Sequence, residues 1–457
     1  MCKHQWMTDV IVVGAGLAGL NCALTLQSRG LAVRVVESTD SVGGRVRTDR
    51  IDGYLCDRGF QLLNPAYPAV RRYVDLPALD LQPFAAGVAV AGAAGTTILG
   101  DPRRSPTLLP KTLLSGYLHP RELARLGAWA APALGPVHRL LDEAATAPGS
   151  TPQESGERSS AASGPAASGP RPGDGATDSA SHRKAPTGGD LSLRESLDRA
   201  GVEGKLRREV LEPFLSGVLA EADGSTSAAF VQLLLRSFLL GTPSLPAGGM
   251  AAMPEQLAAR LREPVHLGRP ATAVRGGDEA IVETVDGELR ARAVVVATDP
   301  SSSAELLHVE APRMKGLSTY WFTTDEPPRT DKLLVIDGRR DGPVVNTAVM
   351  SNVAPSYAPP GRHLIQATAL WPTDAVEADV RIQLTRMYGR SAGAWQVVVR
   401  HDIPEALPHQ PAPLAARRPV ALGDGRFVAG DHRDTASIQG ALVSGRRAAN
   451  AVTQYLA

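Results

Sequence analysis

A glycine fingerprint between two short β-rich runs constrains the fold more than any other feature of this chain. The run Val10–Val13 leads into Gly14-x-Gly16-x-x-Gly19, which begins a helix that we expect to be amphipathic. In such a pattern the first glycine lets the backbone turn off the strand, the second lets it approach a pyrophosphate, and the third lets the helix pack close to the sheet. The free N–H groups of that helix would face the phosphate charge. The pattern predicts a dinucleotide site formed by Gly14, Ala15, Gly16, Leu17, Ala18 and Gly19.

An acidic residue stands at the end of the second β-rich run. Glu37 lies 23 positions after Gly14, and at about that spacing a carboxylate accepts a hydrogen bond from a ribose 2′-OH. The same carboxylate would repel a 2′-phosphate. We therefore expect Glu37 and its neighbour Ser38 to bind the adenosine ribose, and we expect NADP to be disfavoured.

The residues after the second run indicate which dinucleotide binds. Gly43-Gly44-Arg45-x-x-Thr48 occurs where a plain NAD domain would begin another helix. This segment resembles the fingerprint of the flavin-containing amine oxidase and phytoene desaturase superfamily. The resemblance implies that Gly43, Gly44 and Arg45 wrap the pyrophosphate of FAD and approach its flavin.

A second glycine motif near the C-terminus resembles the flavin motif of the same superfamily. A β-rich run ends at Gly430-Asp431, and Ser437-Ile438-Gln-Gly440-Ala441 begins the last helix. The resemblance implies that Asp431 holds a ribityl hydroxyl or a water beside the pyrophosphate. It also implies that the helix points its positive end at the flavin edge that gains negative charge on reduction.

The resemblance extends over nearly the whole chain outside one insert, and its softer similarities favour the phytoene-desaturase-like branch. It implies that Gly59, Phe60 and Gln61 lie along the isoalloxazine ring. Ala271 would face the adenine, and Ala297 and Thr298 would close over the dinucleotide. No cysteine follows Cys56, so a cysteine-linked flavin near the C-terminus is excluded and we expect noncovalent FAD.

The order of these motifs predicts an α/β fold with two discontinuous domains. A Rossmann-type, glutathione-reductase-like FAD-binding domain would comprise 8–80, 246–300 and 415–457, with a hairpin turn at Asp286-Gly287. A substrate domain of mixed sheet and helices would comprise 81–143, 191–245 and 301–414. Residues 144–190 are rich in Ala, Gly, Ser and Pro, and we expect them to form a disordered insert because they offer little apolar surface to bury.

Two helices are predicted directly after the insert. Ser192-x-x-Glu195 matches a capping box that begins the first of them. The second, Phe230–Leu240, has a broad apolar face. That face is typical of core packing, and the alternative is a wall of an apolar substrate tunnel.

Charge and composition exclude several classes of function. The formal net charge is +1, so no broad basic surface favours nucleic acid or an anionic membrane. The three cysteines form no CxxC and the histidines lack metal-ligand spacing, so we predict no metal site. No signal peptide is expected before the first strand, and no apolar run is long enough to span a bilayer. We expect a cytoplasmic protein, and peripheral membrane contact stays open.

These features predict an FAD-dependent oxidoreductase that transfers a hydride from a mostly apolar, lipophilic small molecule to flavin N5. With one dinucleotide fingerprint, electrons would leave to oxygen, a quinone or another carrier. Three alternatives stay open. They are an amine oxidase that produces hydrogen peroxide, a redox-neutral flavin-dependent isomerase, and a non-catalytic escort-type binding protein.

Few side chains qualify as catalytic. Lys315 precedes a predicted strand at about the place where many amine oxidases keep a lysine bridged by water to N5, so the resemblance makes it the one candidate. Trp371, Tyr388 and Trp395 are candidates for an aromatic cage around an amine. For these three residues, ordinary packing is the favoured interpretation.

Overall fold

The computed structural model describes residues 8–135 and 189–457. The segment predicted to be a disordered insert, 144–190, lies outside these residues except for its last two positions. The capping box after it is confirmed at the start of the helix Leu193–Arg199. Ser192 Oγ accepts from the Glu195 N–H at 3.3 Å, and Glu195 Oε2 accepts from the Ser192 N–H at 3.2 Å.

Nineteen strands and twelve α-helices are present in the described residues. The strands are β1 Val10–Val13, β2 Val33–Val36, β3 Thr48–Ile51, β4 Tyr54–Asp57, β5 Leu81–Pro83, β6 Gly87–Gly92, β7 Gly95–Gly100, β8 Ser244–Pro246, β9 Ala271–Arg275, β10 Ala280–Thr284, β11 Gly287–Ala291, β12 Ala293–Val296, β13 Met314–Thr324, β14 Leu334–Asp337, β15 Val344–Val349, β16 His363–Trp371, β17 Gln396–Pro408, β18 Ala421–Gly423 and β19 Arg426–Val428. The α-helices are α1 Leu17–Ser28, α2 Pro68–Tyr73, α3 Leu109–Leu113, α4 Pro120–Ala130, α5 Leu193–Arg199, α6 Glu212–Leu219, α7 Ala228–Leu240, α8 Ala252–Ala258, α9 Pro300–Leu307, α10 Met350–Val353, α11 Glu377–Tyr388 and α12 Ile438–Leu456.

A five-stranded sheet in the order β18-β19-β12-β1-β2 holds the glycine fingerprint. The central strand β1 pairs in parallel with β2 on one side and β12 on the other. All four residues of β1 are buried, as expected for a parallel strand covered on both faces. The strands of this five-stranded sheet come from three parts of the chain, and each part lies inside a segment predicted for the FAD-binding domain. The domain boundaries themselves stay a prediction.

Helix α1 is less amphipathic than the sequence analysis expects. Its first seven residues are all buried, because the helix lies between the sheet and α12. Gly445 of α12 packs directly on the α1 backbone, and a Cβ there would lie 2.1 Å from the Ala18 carbonyl oxygen. Two helices at this separation leave no solvent-facing side on the first turns of α1.

A three-stranded antiparallel sheet, in the order β11-β10-β9, follows helix α8 along the chain. The predicted hairpin is confirmed, with Thr284 opposite Gly287. The turn itself lies one position earlier than predicted, at Val285 and Asp286, because Gly287 already belongs to β11 with a positive φ of 119°.

A seven-stranded mixed sheet forms the other large layer, in the order β17-β13-β16-β15-β14-β6-β7. Its pairs are antiparallel except for β14 with β6. One side packs on α11 through Tyr320, Phe322 and Leu384. The other side faces α6 and α7. The mixed α/β fold class predicted from the sequence is confirmed.

Candidate active site

A cavity of about 1550 Å³ is lined by residues of both large sheets. It exceeds the roughly 300–1,000 Å³ of sites for a single drug-sized ligand. Nearly every residue predicted to bind the cofactor lines it. They are Gly14, Gly16, Leu17, Ala18, Glu37, Ser38, Gly43, Gly44, Arg45, Gly59, Phe60, Gln61, Ala271, Ala297, Thr298, Gly430, Asp431, Ser437, Ile438 and Ala441.

Three predicted cofactor residues lie behind the cavity wall, and for these the prediction of direct contact is corrected. Ala15 is fully buried and uses its N–H to bind Glu37. A Cβ at Gly19 would lie 2.0 Å from the Gly14 carbonyl oxygen, and one at Gly440 would lie 1.8 Å from the Thr435 carbonyl oxygen. Gly19 and Gly440 are therefore needed for close backbone packing.

The fingerprint glycines at the wall have separate roles. Gly14 has a φ of 102°, and a Cβ there would lie 2.7 Å from the Ala297 carbonyl oxygen. A Cβ at Gly16 would meet no protein atom within 4 Å. Gly14 thus shapes the turn off β1, whereas Gly16 presents bare backbone to open cavity space. That open cradle is what a pyrophosphate at this turn requires.

Glu37 is buried at the end of β2 with its carboxylate fixed by the neighbouring backbone. Oε2 accepts from the Ala15 N–H at 2.7 Å, and Oε1 accepts from the Thr39 N–H at 3.0 Å and the Thr39 hydroxyl at 2.9 Å. A carboxylate has about four acceptor positions. One position on Oε2 therefore stays available at the cavity wall, which suits a ribose hydroxyl.

Arg45 connects the GGR motif to the C-terminal motif. Its Nη1 donates to the Ala406 carbonyl oxygen at 2.8 Å, and its Nη2 donates to Asp431 Oδ1 at 2.5 Å. The Asp431 side chain is only 6% exposed. The pair places a guanidinium and a carboxylate side by side at the cavity wall, between the fingerprint turn and the start of α12.

The start of α12 and the segment 59–61 complete this half of the cavity. Ser437 Oγ caps α12 by accepting from the Gly440 N–H at 3.1 Å. Gln61 Nε2 donates to the Arg45 carbonyl oxygen at 2.6 Å, which holds the segment against the GGR motif. The cavity surface here consists of open glycine backbone, a helix N-terminus and a ribose-type acceptor. These features fit FAD at this site.

Lys315 lies at the cavity wall at the start of β13. Its Nζ donates to the Glu221 carboxylate and, at 2.7 Å, to Thr226 Oγ1. The side chains of Lys315 and Glu221 are 9% and 6% exposed. Burial lowers the pKa of Lys315, and the Glu221 charge opposes that shift. Lys315 was predicted from the sequence, whereas Glu221 and Thr226 were not. These two residues lie among other polar and small residues in the stretch 217–229, where no motif distinguishes them.

Strand β17 adds polar side chains that the sequence analysis also missed. His401 lines the cavity, and its Nε2 lies 2.9 Å from Asp49 Oδ2. Burial lowers the pKa of His401, against the effect of Asp49. Gln410, just beyond the strand, lines the cavity with an Oε1 that has no partner among the described residues. No sequence motif marks either residue.

The far half of the cavity is apolar. Helix α7, whose face was open to two interpretations, contributes Phe230, Leu234 and Phe238 to the cavity wall, which favours the tunnel interpretation for these positions. Other apolar lining residues there are Phe60, Leu62, Phe84, Phe214, Val218 and Leu334. Phe214 and Phe238 contact each other edge to face, with ring centroids 5.4 Å apart.

The three candidates for an aromatic cage lie elsewhere. Tyr388 and Trp395 pack against each other with ring centroids 5.8 Å apart, and Trp395 also contacts Phe322. Trp371 is 36% exposed at the end of β16. None of the three lines the cavity, and the packing interpretation is confirmed for Tyr388 and Trp395.

Two further expectations concern absences. Within residues 8–135 and 189–457, no group of acidic, histidine or cysteine side chains is arranged to hold a metal ion. In the same part of the chain, every helix is too short or too polar to cross a bilayer.

Comparison with known proteins places these features in a family context. The sequence model of the family described as flavin containing amine oxidoreductase matches residues 17–453. Putrescine oxidase of Kocuria rosea is 43% identical over 67 residues, which cover 15% of this chain and 14% of that protein. Coproporphyrinogen III oxidase of Propionibacterium freudenreichii is 40% identical over 78 residues, 17% of this chain and 15% of that protein. The chain thus matches about a seventh of the length of such curated relatives.

Solved structures match over almost the whole chain. Cyclohexylamine oxidase from Brevibacterium oxydans superposes with a TM-score of 0.68 at 14% identity, covering 98% of this chain and 99% of that one. A putrescine oxidase bound to putrescine gives a TM-score of 0.64 at 19% identity, with the same coverage. At these identities the likeness shows the shared fold.

Proposed function

This chain belongs to the flavin-containing amine oxidoreductase family and its cofactor is FAD, and from that premise we propose that it oxidises a mostly apolar organic substrate. The observation that carries the proposal is the continuity of one cavity. Glu37, Arg45 and Asp431 line its dinucleotide half, and Phe214 and Phe238 line its apolar half. A cofactor and a lipophilic molecule would therefore meet inside one continuous cavity.

The cofactor residues act by holding and orienting. Gly16 and Gly44 would let the pyrophosphate approach the backbone, Glu37 would accept from the ribose, and Asp431 would accept from the ribityl chain while it is held by Arg45. When bound, the flavin supplies the hydride acceptor. The protein's own contribution is then position and the exclusion of water.

The apolar half supports a lipophilic substrate. Its aromatic side chains come from separate parts of the chain, among them Phe84 just before β6, Phe214 on α6 and Phe238 on α7. Burying an aromatic or aliphatic side chain against an apolar ligand contributes about 1.5–3 kcal/mol for each fully buried group. Such a surface selects for apolar contact area.

Lys315 would hold a proton or a water beside the reacting bond. Two of its three N–H donors bind Glu221 and Thr226, which leaves one donor for the cavity. The buried Glu221 fixes the position of the ammonium group.

An amine oxidase is the second candidate function. It is favoured by the family description and by relatives named as oxidases of putrescine and cyclohexylamine. Against it, Trp371, Tyr388 and Trp395 form no cage at the cavity. A redox-neutral isomerase and an escort-type protein stay as alternatives, and for the electron acceptor we propose oxygen or a quinone.

The test is anaerobic reduction of the purified holoprotein. We expect a long-chain polyene to bleach the flavin absorbance, whereas bleaching by amines alone would favour the amine oxidase. Substrate and product of equal mass would indicate the isomerase, and a purified protein that releases no FAD on heating would indicate the escort type. Timing reoxidation by oxygen against a quinone then identifies the acceptor.

A matched pair of variants assigns Lys315. In Lys315→Met we expect flavin reduction to slow by at least about a hundredfold, the lower end of what a proton-transfer group contributes, with FAD retained. Lys111 is exposed on α3, so Lys111→Met should reduce at the wild-type rate. Equal rates in both variants would contradict a role for Lys315.

A further inference from the structure

A row of polar side chains runs across four neighbouring strands of the seven-stranded sheet, on its cavity side. Directly paired residues form the row, with Asn346 on β15 opposite Thr368 on β16, and Thr368 opposite Thr319 on β13. His401 on β17 continues it opposite Thr319. Asn346 and His401, at the two ends, line the cavity. The neighbouring side chains on this side, such as Leu334 and Ile336, belong to an apolar cluster.

Several atoms in this region lack hydrogen-bond partners within the described ranges. They are Asn346 Oδ1, Thr319 Oγ1 and His401 Nδ1 in the row, and Trp321 Nε1 and Gln366 Oε1 in the next cross-strand pair. Asn346 is 2% exposed, and Thr319 is fully buried. Buried polar groups in native proteins are almost always satisfied, so a cluster of unsatisfied ones points to a ligand or to water.

The Asn346 carboxamide fits at the cavity wall because the residue that faces it on α6 is a glycine. Gly217 on α6 faces it, and a Cβ at Gly217 would lie 1.9 Å from Asn346 Nδ2. Gly217 also lines the cavity, between Phe214 and Val218 on the same helix. The carboxamide is thus a polar group set in an apolar wall.

Two charged side chains, Arg104 and Asp101, also line the cavity. Arg104 donates to the main-chain carbonyl oxygens of Phe238, Leu239 and Gly241. Asp101 accepts from the Arg103 guanidinium at 2.8 Å. The Asn346 carboxamide, in contrast, offers a ligand a neutral donor and a neutral acceptor.

Asn346 lies far from the predicted reacting centre. Lys315 precedes Thr319 by four positions on β13, and Asn346 lies two strands away from Thr319. At about 3.4 Å per residue and 4.8 Å per strand, the separation is on the order of 15 Å. A molecule that spans both positions must be elongated.

We infer that Asn346 is a specificity-determining residue that binds a neutral hydrogen-bonding group, such as a hydroxyl or carbonyl, at the remote end of an elongated apolar substrate. A carboxamide both donates and accepts, so it matches either group. An ionised group would find no opposite charge on the carboxamide and would be disfavoured there by desolvation. This inference rests on the proposed function, because it assumes that the substrate occupies the apolar half.

Binding of two matched probes to the FAD-loaded protein tests the inference. Dodecanol and dodecyl chloride have the same chain, but only the alcohol can exchange hydrogen bonds with Asn346. We expect the ratio of the two affinities to favour the alcohol about fivefold more in wild-type protein than in protein without the carboxamide, the effect of one neutral hydrogen bond. Calorimetric titration gives both affinities.

Two independent variants remove the carboxamide from its place. Asn346→Leu keeps the branched shape of the side chain without its polar atoms, and Gly217→Ala forces the carboxamide away. In both we expect the ratio of alcohol to chloride affinity to fall about fivefold while the affinity for the chloride is kept. Asn450→Leu, at an exposed position of α12, should behave as wild type.

The outcomes separate this inference from the proposed oxidation. An affinity ratio that is the same in wild type and in both variants, or no binding of either probe, would overturn it. A water that satisfies Asn346 would give the first of these results. Because binding needs no turnover, loss of the proposed activity would leave this pattern intact.

Discussion

Arg45 and Asp431 are 386 positions apart in the chain, yet Arg45 Nη2 lies 2.5 Å from Asp431 Oδ1. The first belongs to the GGR motif after β2, and the second follows β19 just before the final helix. Because Arg45 also binds the Ala406 carbonyl oxygen, the guanidinium joins the end of β17 to both motifs. The cofactor half of the cavity depends on this connection.

We expect Asp431→Asn to weaken FAD binding by about tenfold, because charge-assisted hydrogen bonds contribute about 1.5–3 kcal/mol. The flavin-to-protein ratio after gel filtration, followed by FAD titration of the apoprotein, measures the effect. Glu377→Gln removes an exposed ion pair with Arg381 on α11 and serves as the control. Wild-type FAD affinity in Asp431→Asn would refute the assignment.

Two glycines of the fingerprint should respond in opposite ways to the same added methyl group. Gly16→Ala projects a Cβ into open cavity space, so we expect wild-type apoprotein stability and FAD binding at least about tenfold weaker. Gly14→Ala combines a φ of 102° with a contact to the Ala297 carbonyl oxygen. It should lower the free energy of unfolding by about 2 kcal/mol.

Urea unfolding of the apoproteins and FAD titration distinguish the two effects. If Gly16→Ala lost stability and kept its FAD affinity, the cradle at Gly16 would not be a cofactor contact.

The buried carboxyl of Asp57 should make stability depend on pH. Burial raises its pKa to about 6, although hydrogen bonds from Thr48, Met250 and Tyr357 oppose the shift. In the unfolded chain the carboxyl ionises near its ordinary value, so between about pH 4 and 6 the folded state binds more protons. Its stabilising contribution is therefore present below about pH 4 and is lost as pH rises to 6, by up to about 1.4 kcal/mol per pH unit.

The difference in unfolding free energy between wild type and Asp57→Asn, measured at several pH values, isolates this group. We expect the difference to change between pH 4 and 6 and to be flat above 7. Asp424→Asn, at an exposed position, should show no such change. A flat difference for Asp57→Asn across the whole range would mean that its pKa is not raised.

Shortening Phe238 should weaken binding of an apolar substrate and leave the chemical step alone. Its ring lines the cavity and packs on Phe214, so Phe238→Ala should raise KM about tenfold at a nearly constant kcat, as expected for uniform binding. Leu240, two residues further along α7, is 54% exposed. Leu240→Ala should therefore leave KM unchanged, and a similar rise in both variants would point to a general effect on α7.

Local sequence patterns were sufficient for the cofactor half of the site. Turns, glycine spacing and the ribose acceptor depend on neighbouring residues, so Gly14, Gly16 and Glu37 could be placed by inspection. Gly19 serves the backbone packing that its place in the fingerprint predicts. Gly440 also serves packing, which was not predicted, because spacing alone does not distinguish a ligand contact from a helix contact. The burial of α1 also escaped, since it depends on Gly445, which lies in another helix.

The substrate half depended on contacts between distant segments. Glu221 reaches Lys315 across 94 positions, and Gly217 leaves space for Asn346 on a strand that the sequence analysis did not predict as a separate element. No periodicity or motif links such residues, because their proximity is set by the packing of α6 on the seven-stranded sheet.

Strand β1 gains one of its two neighbours only when β12 has been synthesised, and β12 in turn waits for β19. Until β12 has been synthesised, the βαβ unit of β1, α1 and β2 therefore has one unpaired strand edge, formed by four residues that are buried in the folded sheet. The sheet is complete only when β12 and β19 have both joined it. The nucleotide cleft thus depends on segments that leave the ribosome far apart in time, so that a polypeptide stalled before β19 would lack a closed cleft.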